Sequence, residues 1–158
     1  MLAHLGVAVP AENCNILFYE SIFLHFSAND NLKEGYSHFM QEIVNLKNVL
    51  QELKTKNCFV VFDEIFNGTN INDAAKITVD TIEGLSKYEN SIFIFSTHLN
   101  MIENYLMNNK NIMLLNLESF LTGNELTFTY KLKEGWPKLE IGKILFDQYG
   151  LNDLLRQH

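Results

Sequence analysis

The sequence is short of cysteine, proline and basic charge, and each shortage excludes something. Only Cys14 and Cys58 occur, so no disulfide framework organises the chain, and no Cys/His grouping has zinc-ligand spacing. Cys58 opens an apolar run, which reads as a small buried residue rather than half of a bridge. The two prolines, Pro10 and Pro137, both fall in loop-like surroundings, and no linker or low-complexity tract is present. Lys plus Arg number 12 against 19 Asp plus Glu, a formal charge of -7. A chain this acidic has no basic face with which to grip DNA phosphates by itself. It also lacks the Lys/Arg clusters that an anionic membrane surface attracts. The longest apolar runs, such as 58–62, fall far short of the ~20 residues needed to span a bilayer. Met1 to Pro10 has no basic region ahead of its apolar residues, so no signal peptide is expected. The expected setting is cytoplasmic and reducing, without a membrane partner.

What is present is enough for a folded domain. The 158 residues are 47% hydrophobic and 20% charged, the balance of one globular domain with a real core. Met1 to Leu5, followed by Gly6, reads like the last turn of a helix and its stop. Ile16 to Tyr19 and Ile22 to Phe26 read as strands, and the polar stretch from Ser27 to Gly35 as a loop. Ser37 is placed to cap a helix in which Phe39, Ile43, Leu46, Leu50 and Leu53 share one face. Cys58 to Phe62 is a continuous apolar run, expected of a central strand covered on both sides. A helix from Asn72 or Asp73 to about Tyr88 leads to a second buried strand, Ser91 to Phe95. Strand, helix, strand at this spacing is a βαβ unit with parallel strands. Residues 99–108 look helical. Thr122-Gly123-Asn124 is a turn signal, and Leu126 to Leu132 alternates as one arm of an antiparallel hairpin with one face in the core. Ile141 to Tyr149 reads as a last helix, stopped by Gly150.

Three features carry possible chemistry. Asp63 and Glu64 stand side by side at the carboxyl end of the first buried strand, the edge at which open α/β sheets bind ligands. In a P-loop ATPase the first such acid holds Mg²⁺ and the second orients or deprotonates the attacking water. The competing reading is an apolar strand that ends in two solvated acids. Thr97-His98 directly follows the second buried strand, so parallel pairing would bring His98 to the same edge, where it would contact or report a γ-phosphate; alone, it is a loop histidine. Ser37, at a helix start, offers a hydroxyl and the positive end of the helix dipole, which suit a phosphate, or it simply caps the helix. Asn67 to Asn70 is either a plain turn or a loop facing a partner. Set against these is an absence. No G-x-x-x-x-G-K-[ST] occurs, so the loop that cradles β- and γ-phosphates is missing from the chain.

In their order and spacing, FVVFDEIFNGTN and SIFIFSTH resemble the ATPase domain of the MutS family of DNA mismatch-repair proteins. LGVAVPAE, ESIFLHFSANDNL and GYSHFMQEI are similar to the family's stretch from the helix after the phosphate loop to its serine-bearing loop, and LTFTYKLKEG to the strand after the histidine. The resemblance covers residues 2–135, and more weakly extends to 150. It implies an α/β fold with a three-layer, P-loop NTPase-like (ABC/RecA-like) core of parallel strands plus an antiparallel hairpin, truncated at the N-terminus. Residues 1–158 would then be one partial ATPase domain, with its Walker B acids, signature serine and histidine loop but no Walker A loop. The roles carried over are Asp63 at Mg²⁺, Glu64 activating water, His98 sensing the γ-phosphate, and Ser37 reaching the partner's nucleotide in trans. Gly68 and Thr69 match the loop at the dimer interface. ATP and Mg²⁺ are the implied ligands of the whole protein, with a homodimer through this domain and DNA held by regions absent from the chain.

The sequence departs from the family pattern where Phe66-Asn67 replaces a glycine and a basic residue, where His38 replaces a threonine, and in GWPKLEIGKILF near the C-terminus. Losing the strand that leads into the phosphate loop would leave unpaired sheet edges, so the chain is expected to self-associate and not to hydrolyse ATP by itself. Two alternatives stand beside the ATPase reading. One is a non-catalytic dimerisation or interaction module on the same fold. The other is a metal-dependent hydrolase built on Asp63, Glu64 and His98.

Overall fold

The computed structural model describes residues 2–26, 35–123 and 125–156, without the side chains of Leu2, Tyr36 and Ser37. The loop expected after Phe26 therefore lies outside the described residues, as does Asn124 of the expected turn. The chain forms two compact units, residues 1–111 and 112–158.

The first unit holds a parallel three-stranded sheet in the order β1-β2-β3. Its strands are β1 (Ser21–His25), β2 (Cys58–Asp63) and β3 (Ile92–Ser96). β2 is central, as its apolar run implies, and Cys58, Val60 and Phe62 are buried. The βαβ reading is borne out: β2 and β3 pair in parallel, with Asp63 beside Ser96, and helix α2 (Ile71–Leu85) lies between them in the chain. β3 departs from expectation. It is an edge strand rather than a covered one, so Ile92 and Ile94 remain exposed. Ile16 to Tyr19 is irregular rather than a strand. There the Tyr19 N–H donates to His4 Nε2 at 3.1 Å instead of to a neighbouring strand, and pairing with β2 begins only at Ser21.

Helix α1 (Gly35–Glu52) starts two residues before Ser37, which lies in its first turn. Its buried stripe is turned slightly from the expected one: Val49 is fully buried, while Leu50 is 38% exposed. The end of α1 is tied to the start of β1 by Ser21 Oγ, which donates to Glu52 Oε2 at 3.1 Å. α2 begins one residue earlier than the spacing suggests, because Asn70 caps it: its side chain accepts from the Asn72 and Asp73 amides. The face made by Ala74, Ala75, Thr78, Thr81, Ile82 and Leu85 is buried, the repeat of an amphipathic helix. Residues 99–108 are helical in part, as a 3-10 turn (Asn100–Ile102) and α3 (Glu103–Leu106). The expected helical ending before Gly6 is a single 3-10 turn, Leu2–Leu5, and Gly6 takes a left-handed φ of +68°.

The second unit holds an antiparallel hairpin of β4 (Leu115–Thr122) and β5 (Glu125–Glu134), followed by α4 (Ile141–Gln148) and α5 (Leu151–Arg156). The hairpin is as expected, but its apolar face is not in a core: Tyr130 is 85% and Leu132 66% exposed. A register shift between Leu117 and Ser119 interrupts the alternation, and Tyr130 takes a left-handed φ of +58° there. Gly150 does end α4, at φ +66°, and α5 then follows unannounced by the sequence pattern.

Candidate functional site

The carboxyl end of the sheet gathers the acids and the histidine. Parallel register sets Asp63 opposite Ser96, so the two residues that leave β3, Thr97 and His98, emerge beside the acid pair. Ser96 Oγ donates to Asp63 Oδ1 in a short hydrogen bond. The Glu64 N–H donates to the Ser96 carbonyl at 3.1 Å, which extends the ladder one residue past the strand. His98 Nδ1 lies 3.1 Å from Glu64 Oε1, and Asn67 Nδ2 donates to Glu64 Oε2 at 3.2 Å. Both oxygens of Glu64 are therefore engaged. An ionised carboxylate only accepts, so the contact places a proton on Nδ1 of His98 and leaves Nε2 turned away from Glu64.

Backbone geometry sets this arrangement. Glu64 has φ +52° and Phe66 φ +68°, both in the left-handed region that non-glycine residues avoid. Such residues cost about 1–3 kcal/mol each and persist where surrounding structure over-determines them. The surroundings here are plain: Phe66 is 1% exposed and packs edge-on against Phe39 of α1, ring centroids 6.1 Å apart. Burying such a ring contributes about 1.5–3 kcal/mol, enough to offset the strain at one residue.

Beneath the site runs an aromatic stack. His25 lies 5.2 Å from Phe62, and Phe62 4.9 Å from Phe95, both nearly parallel. Burial lowers the His25 imidazole from its ordinary value. Burial raises the Glu42 carboxyl, opposed by the Phe66 backbone amide and by His38. Among the described residues, His25 Nε2 and Glu42 Oε2 are sealed from solvent and have no hydrogen-bond partner. A cavity of about 240 Å³ lies nearby, bounded by residues that include His25, His38, Glu42 and Asp63. Neither Glu64 nor His98 lines it.

The structure thus brings together Asp63, Glu64 and His98. Gly68 and Thr69 lie farther along the same loop, just before the Asn70 cap. Ser37 is in the first turn of α1, and its side chain lies outside the described residues. Sequence reasoning missed Ser96 and the hold of Asn67 on Glu64. Ser96 is found only through the β2–β3 register, and Asn67 only through the turn that folds it back on Glu64. Among the described residues no group of three or more His, Cys, Asp or Glu side chains could by itself hold a metal ion. The donor chemistry does suit Mg²⁺ in a different way, since that ion is commonly held by one or two carboxylates with waters and phosphate oxygens. No helix among the described residues is long and apolar enough to cross a membrane.

Comparison with known proteins agrees with the motifs. The family model described as MutS domain V matches residues 1–145. The DNA mismatch repair protein MutS of Alkaliphilus metalliredigens (strain QYMF) is 34% identical over 161 residues, which covers 99% of this chain and 18% of that protein. The DNA mismatch repair protein MutS of Borreliella afzelii (strain PKo) is 31% identical over 134 residues, 85% of this chain and 15% of that protein. The chain spans less than a fifth of the length of these relatives. With acids and histidine at one edge of a parallel sheet and a family match over residues 1–145, the chain belongs to the MutS family, through its domain V.

Proposed function

We propose that the chain is the carboxyl-terminal part of a MutS-like, P-loop NTPase-like ATPase domain that hydrolyses ATP at a dimer interface to switch a DNA-bound protein between conformations in mismatch repair. The observation that carries this reading is the contact of Glu64 with His98 at 3.1 Å, beside Asp63, at the carboxyl end of parallel strands. Glu64 orients the attacking water and takes its proton. His98, its Nδ1 committed to Glu64, keeps Nε2 for the γ-phosphate. Asp63 would hold Mg²⁺, which when bound neutralises phosphate charge. Ser37 would serve the partner's nucleotide in trans, with Gly68 and Thr69 at the interface of a homodimer. DNA would be held by other regions of the whole protein, in a cytoplasmic setting.

The 158 residues contain no phosphate loop, so the chain by itself is expected not to turn over ATP. The test is a chimera in which this chain replaces the matching segment of a complete MutS. Mg²⁺-dependent turnover is expected, falling about 10²–10⁴-fold in Glu64→Gln. A folded chimera that binds ATP and shows no Glu64-dependent turnover would overturn the reading. A second reading, a non-catalytic interaction module, draws support from the exposed Leu117, Tyr130 and Leu132 of the hairpin. It gains if the reading frame upstream of Met1 also lacks G-x-x-x-x-G-K-[ST], and is discarded if the motif stands there.

A further inference from the structure

Phe66 is an unusual occupant of its position. With φ +68° the backbone there suits glycine, yet a bulky side chain is present and almost wholly buried. The residue is gripped from two sides by one face of α1. Phe39 takes the ring edge-on, and Glu42, one turn along, feels the Phe66 backbone amide. Two residues upstream, Glu64 is also left-handed, and one residue downstream, Asn67 reaches back to Glu64 Oε2. The loop is therefore a tight reversal whose inner anchor is the Phe66 ring and whose outer product is the pose of Glu64 against His98. The exposed hydrogen bond from Asn67 is too weak to fix that pose alone, since solvent competes for it. The buried ring is the part that solvent cannot replace.

We propose that Phe66 is a positioning residue: its ring, seated against Phe39, holds the left-handed turn that presents the Glu64 carboxylate to His98. A consequence is that the pose of Glu64 follows α1, the helix whose first turn carries Ser37. The proposal rests on the reading of Glu64 as the acid that activates water, but its geometry is measurable without turnover.

The experiment is ¹⁵N NMR of the His98 ring in this chain at alkaline pH, where imidazoles are neutral. In the unsubstituted chain the ring is expected in its Nδ1–H form, because Nδ1 faces a carboxylate. Phe66→Gly removes the ring and relieves the backbone, and the Nδ1–H signature is expected to give way to the mixture shown by a free imidazole. Phe66→Leu keeps a buried apolar anchor and is expected to retain the signature. Phe39→Ala leaves residue 66 unchanged and is expected to lose it, which keeps the test open if Phe66→Gly fails to fold. Retention of the Nδ1–H form in a folded Phe66→Gly or Phe39→Ala chain would overturn the proposal. Its failure is separable from that of the ATPase reading. A His98 signature that depends on Phe66, together with turnover in the chimera that is indifferent to Glu64→Gln, sinks only the catalytic role.

Discussion

β2 and β5 each carry an alternating set of apolar residues, yet the two sets meet opposite fates. β2 is flanked by a strand on each side, and its alternate residues Cys58, Val60 and Phe62 are buried. β5 has one neighbour, and Phe128, Tyr130 and Leu132 on its apolar alternation are exposed. The difference shows that alternation records only which side chains share a face. Whether that face is dry depends on what covers it, and a two-stranded ribbon cannot bury its own surface.

The largest expected contrast follows from this. Phe62→Ala should cost about 3–5 kcal/mol in equilibrium denaturation, because the ring is 2% exposed and stacked between His25 and Phe95. Phe128→Ala, on the exposed hairpin, should stay within about 0.5 kcal/mol. Equal losses would show that the hairpin face is covered in solution. Next come the helix caps. Asn70→Ala should destabilise by about 1 kcal/mol, since its side chain satisfies two α2 amides, and far-UV circular dichroism during melting would report it. Glu140→Ala, before α4, should change nothing measurable, as Glu140 makes no side-chain cap. Within the first unit, Thr78→Val should stabilise by up to about 1 kcal/mol, because the Thr78 hydroxyl is buried without a partner among the described residues.

A further small effect is one of pH. Burial depresses His25 from 6.5, so the unfolded chain takes up a proton that the folded chain resists. Stability from this residue is present above pH 6.5 and is lost as pH falls from there through the folded value. The loss should be under about 1 kcal/mol, given partial solvent screening, and His25→Phe should abolish it while keeping the stack on Phe62. In the second unit, Lys133 and Glu118 form a surface ion pair, and raising salt should weaken it with little change in stability.

Much of the first unit was legible from local pattern. The unbroken run 58–62 announced a central strand, and the acids at its end marked the carboxyl edge as the candidate site. The position of His98 beside Glu64 followed once the βαβ spacing implied parallel strands. The error at Ile16 to Tyr19 has a local cause, since four apolar residues of strand length satisfy the pattern equally well as irregular chain. The error at β3 has a remote cause, because an edge position depends on how many strands join the sheet, which periodicity does not encode.

Periodicity was sufficient for most of the elements and for the parallel unit, because helix and strand periods and the reach of a βαβ crossover are local properties of the chain, and the ordered motifs carried the resemblance to the family. Only the three-dimensional packing decided that Ser96 meets Asp63, that Asn67 turns back on Glu64, and that the Phe66 ring is buried against Phe39 at a backbone angle suited to glycine. Those outcomes depend on which surfaces exclude water from one another, a relation between residues far apart in the chain.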